Sequence, residues 1–148
     1  MKNTQKGRSM VEMLGVLAII GVLSVGGIAG YTVAMNRYRA NQILDMASKI
    51  AIIAQTMNGG AGGGACVAGG CSVAGTNDVG LTWSTLGGVT GFSAIVDNTG
   101  ATDSDVVTVT LAGTPSTGVA NAMTSIAGTG TASTPGYNGS NAIYIKTN

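Results

Sequence analysis

Few side chains in this sequence can do chemistry. The 148 residues hold no His, two Cys, seven basic groups and six acidic ones. Without His, the usual proton shuttle, His-based nucleophile activation and most zinc sites are gone. Glu occurs once, at Glu12. A two-carboxylate hydrolytic site would have to be built from Asp, and Asp78, Asp97, Asp103 and Asp105 stand in Gly- and Thr-rich stretches with no other reactive group beside them. Read as Ca²⁺ ligands, Asp97, Asp103 and Asp105 fit turn and strand-edge positions equally well. A net charge of +1 offers nucleic acid no broad basic surface. These features argue against an enzyme, and no catalytic set, cofactor or metal is expected. Two features remain with chemistry to explain: Glu12, and the pair Cys66 and Cys71.

Glu12 stands at the head of a long apolar run. Residues 13–36 form an uncharged stretch of 24 residues, whose core is Met, Leu, Val, Ile, Ala, Gly and one Ser. At about 1.5 Å per residue, a helix of this length crosses a hydrocarbon layer of about 30 Å. Lys2, Lys6 and Arg8 precede it and Arg37 and Arg39 come after it, which places the short N-terminal side in the cytoplasm and the rest outside. The run is too long for the apolar part of a simple secretory signal, and the helical pattern continues past it. A plain membrane anchor is the simpler alternative. A carboxylate entering a bilayer costs a few kcal/mol and is a functional residue by default, unless it snorkels to the interface from its place near the helix end.

The elements that position Glu12 are legible downstream. Residues 34–57 contain neither Pro nor Gly. Ile43, Met46, Ala47, Ile50, Ile53, Ala54 and Met57 recur at spacings of three and four, while Asn41, Asp45, Ser48, Lys49, Gln55 and Thr56 take the other side. Asp45 and Lys49 form a favourable pair one turn apart. Asn58, Gly59 and Gly60 supply a stop. The pattern predicts one helix over 9–57, about 70–75 Å long by the standard rise. Its first half is apolar all round and its second half on one side, so the second half packs under a globular head. Gly15, Gly21, Gly26, Gly27 and Gly30 in the first half permit close helix approach, with Gly26 and Gly30 in a GxxxG pattern.

The segment Gly7-Arg8-Ser9-Met10-Val11-Glu12-Met13-Leu14, continued by Gly15-Val16-Leu17-Ala18-Ile19-Ile20-Gly21-Val22-Leu23, resembles the class III signal and stem of the type IV pilin family. The resemblance covers about the first 50 residues. It implies cleavage after Gly7 by a prepilin peptidase in the inner membrane, with methylation of the new amino terminus. In the family that terminus is usually Phe or another apolar residue; here it is Arg8, which also reads as a membrane-flank cation. The family's Glu is thought to pair with the N-terminal amine of a neighbouring subunit, a role that falls on Glu12. The implied organisation is a leader over 1–7, a transmembrane and filament-core helix over 8–35, the amphipathic half of the stem over 36–57 and a head over 58–148.

The head reads as the β part of an α+β fold, a small antiparallel sheet against the stem. Residues 59–75 have almost no side-chain bulk but include Cys66 and Cys71 as C-x4-C. Outside the inner membrane, where disulfides persist, one bridge between them is expected, free thiols being the alternative. A metal site would need two more ligands, and the spacing is not that of a C-x-x-C redox pair. Strands are expected over 92–96, 105–111 and 142–145, a turn over 97–100, and a further apolar and polar stretch over 81–86 around the single Trp. A short helix is expected with Thr114 as N-cap, Pro115 in its first turn and Val119, Met123 and Ile126 inward. Residues 128–139 read as turns. Strand, Pro-started helix and final strand is an order similar to type IVb pilin heads. The resemblance implies a major pilin, the self-polymerising subunit of an extracellular pilus used in adhesion or motility. It enters the inner membrane as a precursor and is handled by the pilus assembly machinery. A pseudopilin of a type II secretion system and a non-polymerising membrane-anchored binding domain are the alternatives.

Overall fold

The computed structural model describes residues 10–59, 71–74, 86–96 and 106–146. The fold is α+β: a long N-terminal helix and a small antiparallel sheet. The chain divides between Met35 and Asn36 into two compact units.

Helix α1, Met10–Gly59, runs for 50 residues without interruption. Leu, Met, Ala and the absence of Pro favour it, against five Gly in its first half that each cost roughly 1 kcal/mol relative to Ala. Its few hydroxyls turn inward on its own backbone. Ser24 Oγ donates to the Ile20 carbonyl and Thr32 Oγ1 to the Ala29 carbonyl, both at 2.8 Å. In an apolar surrounding, that leaves neither hydroxyl unpaired.

From Asn36 on, one face of α1 is core. Ala40, Ile43, Ala47, Ile50, Ala51 and Ala54 are fully or almost fully buried. The seam includes Ile43, Ala47, Ile50 and Ala54 of the expected stripe and adds Ala40 and Ala51. Met46 and Ile53 are only half-buried, and the side chain of Met57 lies outside the described residues. Four of the six seam residues are Ala, so the buried face of α1 is made largely of small side chains.

The sheet consists of β1 (Cys71–Ala74), β2 (Gly91–Val96), β3 (Val106–Ala112), β4 (Gly136–Tyr137) and β5 (Ala142–Lys146), in the order β1-β2-β3-β5-β4, all pairs antiparallel. Phe92 and Ala94 from β2, Val107, Val109 and Leu111 from β3, and Ile143 from β5 join the α1 seam in one core. Thr108 and Thr110 alternate with them on the opposite face of β3, the period expected of a strand with one buried side.

Helix α2, Thr117–Ala127, begins later than its sequence suggests. Its N-cap is Ser116, so Thr114 does not cap it and Pro115 precedes it. The loop geometry gives the reason. Gly88 and Gly113 both hold positive φ, +95° and +93°. A Cβ on Gly88 would fall on the Thr114 carbonyl oxygen, and one on Gly113 on the Gly88 carbonyl oxygen. Ser116 N–H then donates to the Gly87 carbonyl at 2.7 Å. These contacts commit residues 113–116 to the 87–88 turn, and the helix starts only after them. Val119 and Met123 are fully buried as expected, whereas Ile126 is 47% exposed.

Two strands were not legible. β1 arises inside the side-chain-poor stretch, and β4 inside the turn-rich one. β4 is anchored by Tyr137, wholly buried, whose N–H donates to the Gly128 carbonyl and whose hydroxyl donates to the Ser140 carbonyl. The adjoining turn is closed by Asn138 Oδ1, which accepts from the N–H groups of Ser140, Asn141 and Ala142. The expected 97–100 turn and the stretch around Trp83 lie outside the described residues, apart from Leu86, which bridges to Val89.

Candidate functional site

The feature that calls for a function is the first unit's part of α1. Every residue from Met10 to Ala34 is exposed. Met10, Val11, Leu17, Val22, Leu23, Val25 and Ile28 each show more than 60% of their surface, in a helix long and apolar enough to cross a membrane, with none of its most apolar window buried in the chain. Monomeric soluble domains rarely leave so large a continuous apolar surface uncovered. The five stem glycines are open notches: a Cβ added at Gly15, Gly21, Gly26, Gly27 or Gly30 would meet nothing within 4 Å. Among the described residues, no side chain fills them.

Glu12 stands in the first turn of this helix, exposed, where the unpaired N–H groups of the helix end favour a negative charge. Among the described residues no cation pairs with it. Gly7 and Arg8, the two residues expected to mark the cleavage, lie outside the described residues, as does Cys66. Cys71 opens β1, opposite Val96 of β2. The structure therefore brings Glu12 to the end of an apolar helix, and leaves the proposed processing step and the Cys66–Cys71 bridge to experiment. Asp78, Asp97, Asp103 and Asp105 also fall outside the described residues.

In the second unit, Asp45 and Lys49 form the expected exposed pair, 2.7 Å apart. Tyr38 is exposed, and its hydroxyl accepts from Gln42 Nε2 at 2.8 Å. An open groove of about 330 Å³ runs between α1 and the β4–β5 edge, lined by Leu44, Ser48, Pro135, Ile143, Ile145 and Lys146 among others. The Ser48 hydroxyl in that lining donates to the Leu44 carbonyl at 2.9 Å.

No protein-family profile, no curated protein and no solved structure matches the chain. What stands on geometry alone is a long apolar helix whose second half carries a small antiparallel sheet, an architecture resembling that of pilins.

Proposed function

We propose that this chain is the structural subunit of a type IV pilus. It is inserted in the inner membrane as a precursor, processed after Gly7, and polymerised through the first half of α1 into an extracellular filament, with no catalysis of its own. One observation carries the reading: the same helix that builds the core of an α+β head also presents, over Met10 to Ala34, an apolar surface on every side. In lipid that surface is satisfied by acyl chains. In a filament it is satisfied by the same segment of neighbouring copies, and the open glycine notches allow their backbones close approach. The lone Glu12 at the head of the segment supports the same reading, because a newly cut amino terminus gives it a counter-charge that the described residues do not.

The test is the intact mass of the subunit in material sheared from the cell surface. A chain beginning at Arg8, with or without one added methyl group, is expected. A chain beginning at Met1 contradicts the proposal.

A further inference from the structure

We propose that Arg37, Tyr38 and Arg39 form a collar that grips phospholipid headgroups where α1 leaves the membrane. The inference deepens the preceding proposal and rests on its membrane-inserted state. Residues 13–36 carry no charge, and Arg37 is the first cation after them. With Glu12 at one boundary, Arg37 lies roughly 37 Å along the helix at the standard rise, beyond a hydrocarbon layer of about 30 Å and within the headgroup layer on the far side.

Successive residues on a helix stand about 100° apart, so positions 37, 38 and 39 sweep more than half of its circumference. The remaining arc is occupied by protein: Ala40 is fully buried in the core, and half-buried Asn36 abuts Gly118 of α2. The collar thus occupies the arc that the head leaves open. Arg37 is exposed, Arg39 half-exposed, and Tyr38 keeps 57% of its surface. Planar guanidinium groups match phosphate oxygens two bonds at a time, and an exposed Tyr with an apolar ring and a polar tip suits the interfacial layer.

Position favours lipid over a second copy of the chain as the partner: the two arginines are the first charges after the 24-residue uncharged span, at the depth of the lipid phosphates. Among the described residues the only acids are Glu12 and Asp45. Asp45 is already paired with Lys49, and Glu12 is committed to the opposite end of the span. Neither arginine has an ion-pair partner among the described residues.

The experiment is solid-state NMR of the full chain, with guanidinium carbons labelled, in vesicles of phosphatidylcholine and phosphatidylglycerol, reading dephasing of the arginine signal by phosphorus. The chain has three arginines, Arg8, Arg37 and Arg39. Strong dephasing is expected, and Arg37→Gln with Arg39→Gln should remove the larger part of it while protease protection of the span persists. Equal dephasing in the double variant would assign the contact to Arg8 and overturn the collar. Absence of dephasing in a protease-protected chain would overturn it too. So would loss of filaments in the double variant without prior dephasing in the wild type, an outcome that hands the arginines to a neighbouring subunit. Dephasing lost with the two arginines in a chain that never forms filaments would support the collar and count against the pilus proposal alone.

Discussion

Glu12 and Tyr137 show the two ways a single residue matters here. Glu12 is legible in sequence because it is the only Glu and precedes a long apolar run; no neighbour is needed to see that it is out of place. If it answers a neighbour's amino terminus, Glu12→Leu removes one partner of a buried pair, a change that typically costs about 3–5 kcal/mol. We expect that variant to leave processed subunit in the membrane and to abolish or sharply shorten filaments. Quantifying filament yield against the membrane pool checks this, and normal filaments would reduce Glu12 to a snorkelling membrane-edge residue. Tyr137 is the opposite case. Nothing in a Gly- and Thr-rich turn region marks it as the largest fully buried side chain among the described residues, since its role depends on partners at Gly128 and Ser140 that only the fold supplies. Burial raises the pKa of its phenol above the ordinary value. The folded state therefore holds this proton more tightly than the unfolded chain does. The resulting stability is full below about pH 10, the unfolded pKa, and is lost as pH rises through the higher folded one. Tyr137→Phe should lower stability by about 1 kcal/mol through loss of the hydroxyl bond and should weaken this alkaline step. Denaturant unfolding of the full chain in detergent, followed across alkaline pH, measures both.

At the scale of elements, periodicity found the elements and most of their inward faces, but it missed Ala40 and Ala51 and turned Met46, Ile53 and Ile126 further inward than they lie. Ile43, Ala47, Ile50 and Ala54 of the α1 seam, β2, β3, β5 and the inward Val119 and Met123 follow from period and composition. Periodicity failed where tertiary contacts set a boundary. The start of α2 is moved to Ser116 by the mutual approach of Gly88 and Gly113, and no local signal at Thr114 or Pro115 reports that approach. Either Gly88→Ala or Gly113→Ala should destabilise the head by about 1–3 kcal/mol from backbone strain alone, with a further loss from the clash against carbonyl oxygen. A thermal transition unchanged by both substitutions would show that the turn is not the constraint described. β1 escaped notice because its four residues have too little bulk to alternate visibly. Its first residue, Cys71, is one end of the expected bridge to Cys66. Mass spectrometry without reduction should find the two joined, and Cys66→Ser should cost about 2 kcal/mol at most by the loop-entropy estimate for so short a ring. Free thiols in protein recovered from outside the cell would refute the bridge.

For the molecule as a whole, the division between Met35 and Asn36 separates two kinds of stability. The second unit buries its own core, with a seam of α1 against the sheet. In the first unit every described residue from Met10 to Ala34 is exposed and Met35 is half-buried, so this apolar surface is not covered within the unit. On the pilus proposal, that apolar segment is covered by lipid before assembly and by neighbouring copies after it. Sequence alone made the segment visible, because an all-round apolar helix needs no tertiary partner to be recognised. What covers it is a property of the assembly. Electron microscopy of material sheared from cells expressing the full chain examines that assembly most directly. Long filaments built from this subunit, with the first half of α1 packed in a central helical bundle and the heads outside, are the predicted result. Cells that make the processed subunit in normal amounts but hold all of it as single copies in the membrane, with no filaments, would contradict the pilus proposal.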